Sequence, residues 1–288
     1  MKRVTGVWIA VCMAAVTAQV AAYAATVQIN PTKIRLAVSP GAVKSGVIEV
    51  KNPSEESLVV KTYVQDFRYT DERDGTKEFF TPGLTPTSCA EWISTSLNEF
   101  VIPPKGSQSI SYTVRVPDDA SGGHYAVLFF ETLLSEPQMS DSAYLGVVVR
   151  IGSLFFIEPE GTIKRQAELG DLLVTRADNQ EPFRVSMELT NTGNVDITTE
   201  ASFALMDAEG MVAARGAFGD TYTFQKEKAR LEGVWEETIP AGAYDMVITV
   251  NIGKGLQEAG LGRGPVVTAE VPVDIAQDGS IAGVGNMR

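Results

Sequence analysis

The chain has 288 residues and a formal net charge of −12, with one histidine and two cysteines, and 44% of its residues are hydrophobic. That acidic balance shows no basic stripe for a nucleic-acid backbone, and so few histidines and cysteines cannot fill the usual ligand set of a zinc or haem site. No nucleic-acid partner, metal or cofactor is expected.

In chain order the first element is an export signal. Lys2 and Arg3 give a basic start, residues 7–20 an apolar run, and Ala22-Tyr23-Ala24 places small residues where a signal peptidase reads them. Residues 1–24 are therefore expected to be a signal peptide, which makes the mature protein periplasmic or extracellular. The run is Ala-rich and contains Thr17 and Gln19, short of the ~20 strongly apolar residues of an uncleaved membrane helix. Cleavage removes Lys2 and Arg3 but no acid, so the net charge of −12 becomes about −14. It also leaves Cys89 as the sole cysteine, which rules out an intrachain disulfide. No second run of ~18 apolar residues follows Ala25, so no membrane anchor is expected after cleavage.

From Thr26 onward apolar residues alternate with polar ones, and the breaks carry Gly, Pro, Asn or Asp. That is the grammar of strands and turns. Ile110, Tyr112, Val114 and Val116 fall on one face of a strand, with Ser109, Ser111, Thr113 and Arg115 on the other. The same spacing recurs in Phe183, Val185, Met187 and Leu189, then in Tyr244, Met246, Ile248, Val250 and Ile252, and last in Val267, Ala269, Val271, Val273 and Ile275. Helical spacing is confined to a turn or two within 88–100 and 255–262. The fold class expected is all-β, with two immunoglobulin-like β-sandwiches in tandem at 25–160 and 161–276 and a flexible polar tail at 277–288.

Side chains suited to catalysis are scarce. His124, at a strand start after Ser-Gly-Gly, reads as a turn or rim residue, and Cys89 as a small packed side chain, so neither is marked as part of a nucleophilic arrangement. An enzyme is not expected. The acidic stretches 71–75 and 207–210 lack the spacing of a calcium loop and read as solvated hairpin turns. The Gly-rich stretch 253–264 matches no phosphate-binding pattern and reads as a mobile loop between the last two strands. Trp92 and Trp235 read as core residues, although exposed on one sheet face they would suit carbohydrate binding.

In LGVVVRI the side chains of Leu145, Val147, Val149 and Ile151 share a face and, on the alternation alone, read as filling the core of the first domain.

Several pieces of the first domain occur in a telling order: Pro31-Thr32-Lys33 opens the first strand, Val50-Lys51-Asn52-Pro53 ends the second, Pro103-Pro104-Lys105-Gly106 turns into a long alternating strand, and LGVVVRIGSLFFIEP closes the domain. Over about 130 residues this resembles the N-terminal domain of PapD-type pilus-assembly chaperones of the periplasm, and equally the extracellular domain of the WxL-interacting cell-surface proteins. The chaperone resemblance implies a protein that lends a strand to an incomplete envelope or pilus subunit by β-augmentation, and Leu145, Val147, Val149 and Ile151 offer the row of alternate apolar side chains this needs. It also implies two basic residues that hold the subunit's C-terminal carboxylate between the domains; Lys33 falls at the position of the first, and Arg150 is the nearest candidate for the second, about two positions from a match anchored on Pro159. The resemblance to the WxL-interacting family implies a surface structural or adhesion role. The sequence assigns no oligomeric state.

Overall fold

The alternating segments form strands, and the inward set of each builds a core. The structure, a computed structural model, describes residues 27–140, 143–176, 182–236 and 239–288; the expected signal peptide lies outside the described residues. In the first half run β1 (Gln28–Asn30), β2 (Lys33–Val38), β3 (Val43–Lys51), β4 (Leu58–Tyr69), β5 (Lys77–Phe80), β6 (Ile93–Thr95), β7 (Glu99–Ile102), β8 (Ser107–Arg115), β9 (His124–Ser140) and β10 (Ala143–Pro159). One sheet has the order β1-β3-β8-β6 and the facing sheet the order β2-β10-β9-β4-β5, with β7 also on β4. Between them lie Ile48, Val50, Ile110, Val114, Leu128, Phe130, Phe155 and Ile157. Pro31, which has no N–H to donate to a ladder, marks the point where the chain leaves the first sheet and enters the second as β2.

The second half contains β11 (Ala167–Thr175), β12 (Phe183–Asn191), β13 (Ile197–Thr198), β14 (Glu200–Met206), β15 (Val212–Ala217), β16 (Tyr222–Thr223), β17 (Lys228–Trp235), β18 (Gly242–Asn251), α1 (Lys254–Glu258), β19 (Val266–Ile275) and β20 (Ile281–Val284). Its two main sheets run β11-β12-β17 and β15-β14-β18-β19-β20. Val185, Met187, Leu189, Phe203, Leu205, Met246, Ile248 and Val250 fill the space between them. The protein is thus all-β, two immunoglobulin-like sandwiches in tandem. Trp235 is 2% exposed and stacks on Phe183, with ring centroids 4.3 Å apart. Trp92 is partly buried against the first core, and its ring lies 4.3 Å from that of His124. Cys89 is buried, and that burial, with the charge of Asp66 adding to it, pushes its thiol pKa well up.

Three expectations about loops need correction. The stretch after Ile275 is no loose tail: β20 pairs with β19, and Arg288 exchanges both backbone hydrogen bonds with Glu270. The Gly-rich stretch 253–264 therefore does not join the last two strands, and it is a docked element. Gly253 and Gly264 pinch its base, where a Cβ on either would overlap the backbone of the other. Between them α1 packs its buried Gly255 against Arg35. The turn at 71–75 exposes Asp71, Glu72 and Asp74 to solvent but is only half solvated. Arg73 accepts the N–H of Tyr222 at 2.9 Å and pairs with Glu227 at 2.7 Å, while Gly75 lies where a Cβ would press on the Tyr222 ring. The turn at 207–210 matches its expectation, with Asp207 Oδ1 accepting the N–H groups of Glu209 and Met211.

The two sandwiches share a third cluster, in which Phe67, Tyr69, Tyr125, Val127, Phe129 and Phe156 of the first half pack with Phe224 of the second. Tyr125 and Phe224 stack at 4.2 Å. Alongside, the guanidinium of Arg35 on β2 makes a two-pronged bond to Asp196 of the second half, at 2.9 and 2.7 Å. It also bonds Glu158, which Arg165 engages at 2.9 Å. Tyr125 ties the aromatic and charged parts together, since its Oη accepts the buried N–H of Asp196 at 2.6 Å and donates to Gln225 at 3.2 Å. Tyr125→Phe leaves that N–H without a partner and is expected to cost about 1–3 kcal/mol, read from urea denaturation.

Candidate functional site

The site begins with a mismatch in strand length. β2 runs parallel to β10 over Leu154 to Pro159 only, whereas β9 pairs with β10 along nearly all of it. Among the described residues, no strand covers the outer edge of β10 before residue 154. The N–H of Leu154 donates to Thr32 at 2.9 Å on that edge. A residue's N–H and C=O point to the same side of a strand, and the side alternates. Gly152 and Arg150 therefore turn their backbone groups to the unpaired edge, while Val149 and Ile151 spend theirs on β9.

The side chains follow the same alternation. Ile151 packs against the first core, Val149 is half-buried, and Val147 is 44% exposed. The shared face expected for these residues is thus an apolar track that leaves the core and climbs into solvent, and the core-filling reading holds only for its inner end. Leu145 pairs with Gln138 through its backbone, and its side chain lies outside the described residues. Leu145 and Val147 flank a register shift, and a second shift follows Val147. Bulges of this kind discourage indiscriminate edge-to-edge pairing at the tip.

At its inner end the free edge meets a cleft of about 390 Å³ lined by Lys33, Lys77, Tyr69, Gly152, Leu154 and Tyr222 among others. Lys33 is the first residue of β2 and lies 5.1 Å above the Phe156 ring. Lys77, at the start of β5, donates to Gly75 O at 2.6 Å and lies 5.6 Å from the Tyr69 ring. Burial pushes the Lys77 ammonium below the usual lysine range, and the charge of Lys33 pushes it further the same way. Lys33 and Lys77 both line this cleft, and Asp74 lines it with them.

Arg150 does not line that cleft. Its guanidinium lies over the rings of Phe129 and Phe79, at 4.7 and 5.3 Å. Leu154, not Arg150, is the residue of β10 in register with Lys33, and Arg150 sits four residues farther out, roughly 13 Å along an extended strand. The second basic group beside Lys33 comes from β5.

The chain is similar in fold to fimbrial chaperones. The class 5 fimbrial chaperone CfaA is 12% identical, with 84% of this chain and 97% of that chain covered at a TM-score of 0.49. The SafB chaperone of Salmonella enterica, solved in complex with the SafA pilin, is 11% identical over 84% and 95% at 0.43. The CupB2 chaperone of Pseudomonas aeruginosa is 12% identical over 84% and 98% at 0.40. No family model matches the chain, and no curated protein matches it. Identities this low leave function to the chemistry of the site.

Sequence reasoning missed Lys77, Arg35, Glu158 and Asp196. Lys77 follows an acidic turn and reads as a solvated hairpin residue, and nothing local signals that the hairpin folds back to Lys33. Arg35 and Glu158 did carry a signal, since each interrupts an apolar run, in KIRLAV and FFIEP.

Proposed function

We propose that the protein is an exported, non-enzymatic, chaperone-like binder that takes up a strand of a partner envelope or pilus subunit along the free edge of β10. The observation that carries this is the half-covered edge itself: β2 supplies the strand from Leu154 onward, and outward of it the backbone groups of Gly152 and Arg150 await one. An incoming strand that continues the line of β2 runs parallel to β10, and its C-terminus then arrives at Lys33. A terminal carboxylate there is met by Lys33 and Lys77. Alternate apolar side chains of the guest would lie along Val147, Val149 and Ile151 and extend the core of the first sandwich. The resemblance of the first-domain motifs to periplasmic pilus chaperones supports the same reading, as does the export signal expected at residues 1–24.

A synthetic peptide of alternating valine and threonine tests it, made once with a free C-terminal carboxylate and once as the amide. The free acid is expected to bind the mature protein more tightly than the amide, by isothermal titration. Lys33→Gln is expected to weaken the acid about tenfold and remove most of the difference, since one charge-assisted hydrogen bond is lost. A preference for the acid that survives in Lys33→Gln counts against the carboxylate role of Lys33; absence of binding by both peptides counts against strand addition.

A further inference from the structure

The anion position on Lys33 is already filled from within the molecule. Glu258, the last residue of α1 in the second sandwich, places its Oε2 2.8 Å from Lys33 Nζ. The contact spans 225 positions of sequence, so the fold brings it about and not local chain geometry. Several bonds hold α1 where this occurs. Lys254 pairs with Asp220, Asn251 Oδ1 accepts the N–H of Gly253 at 2.9 Å, Asn251 Nδ2 donates to Gln257 at 3.1 Å, and Gly255 sits against the Arg35 guanidinium, where a Cβ would come within 3.0 Å of it. The helix lies against the same buried ion pair that joins the sandwiches. The Lys33–Glu258 pair at its end is not buried: the two side chains are 27% and 39% exposed. Exposed pairs of this kind exchange partners at small cost.

We propose that Glu258 is an internal competitor for the cleft, a carboxylate that holds Lys33 until a partner's terminal carboxylate displaces it. This rests on the reading of Lys33 as a carboxylate receptor. Its consequence is a threshold. Only a guest that also gains backbone and side-chain contacts along β10 outcompetes a tethered carboxylate, so free acids and short peptide ends are turned away. A competitor that occupies Lys33 most of the time lowers the apparent affinity for the guest's carboxylate by the fraction of molecules left open.

The experiment uses the same valine–threonine acid and amide with the mature protein and with Glu258→Gln, and reads the ratio of the two affinities. If Glu258 holds Lys33 in about nine molecules of ten, Glu258→Gln raises the acid-over-amide ratio by about tenfold. Glu258→Ala is expected to raise it similarly, which separates removal of the carboxylate from any new contact of glutamine. A parent protein that prefers the acid, with a ratio unchanged or lowered in both variants, overturns the competitor role and leaves the carboxylate receptor standing. A parent protein and variants alike without preference for the acid overturn both. Unaltered thermal unfolding of the variants confirms that the comparison is between folded proteins.

Discussion

Replacing Arg35 with methionine is expected to lower the unfolding free energy by about 3–5 kcal/mol, the cost of leaving a buried charge without its partner. The side chains of Arg35 and Asp196 are each 1% exposed, and the Asp196 carboxylate directs both oxygens at the Arg35 guanidinium. Glu158 keeps Arg165 when Arg35 is lost, but Asp196 keeps no cation within bonding distance among the described residues. The urea transition is expected to move to lower concentration and to lose steepness as the two sandwiches uncouple. Arg35→Met combined with Asp196→Leu should recover most of the loss, because the penalty lies in the stranded charge and not in the missing pair. The same contact sets an acid limit. Burial alone would push the Asp196 carboxyl up, but the charge and hydrogen bonds of Arg35, with Arg165 and Lys33 behind them, outweigh it and hold the carboxyl below the ordinary range. A carboxyl depressed in the folded state contributes stability that is fully present above its unfolded value of about 3.9 and is lost as pH falls through the folded value. Stability should therefore fall on acidification below about pH 4, and an Asp196→Asn variant, already weakened, should lack that part of the slope.

The second large effect belongs to the free edge. Arg150→Pro is expected to weaken binding of a strand-forming peptide about a hundredfold, since it removes one edge N–H and sets a ring where the guest backbone must approach. The fold should tolerate it. Residue 150 turns its backbone away from β9, and an edge position that donates nothing to its own ladder is where a strand accepts proline. Arg150→Ala is the control that separates backbone from side chain. The guanidinium lies on Phe79 and Phe129, away from Lys33, so the alanine variant should bind within about threefold of the parent, the scatter expected of a surface substitution. Loss of binding in Arg150→Ala would return Arg150 to the role of carboxylate receptor.

The architecture was legible because both sandwiches follow period two closely: Ile110, Tyr112 and Val114 are buried as their spacing implies, and so are Val185, Met187 and Leu189. What the spacing conceals is which outward faces are wet. In β2 the alternation puts Arg35 opposite Ile34 and Val38, on a face that reads as solvent, yet the second sandwich covers it. The run SLFFIEP hints at this, because Phe155 and Phe156 point to opposite faces and both are buried, the mark of a strand covered on two sides. Asp196 and Lys77 had no such mark, since they sit beside turns whose destination depends on how the two domains meet. The alternation of Val147, Val149 and Ile151 was legible in the sequence, and burial declines along it from Ile151, packed against the first core, to Val147, 44% exposed. Which residues of that strand present hydrogen-bonding groups, and which lysine completes the cleft, depended on register.

Amide hydrogen exchange at Arg150 and Gly152 tests strand addition most directly. In the free protein these two N–H groups face the uncovered edge and should exchange far faster than those of Val149 and Ile151, which are bonded to β9. On saturation with the valine–threonine acid, Arg150 and Gly152 should become protected by at least about tenfold, with little change at Val149 and Ile151. Binding of the peptide with Arg150 and Gly152 still exchanging as in the free protein would contradict the account.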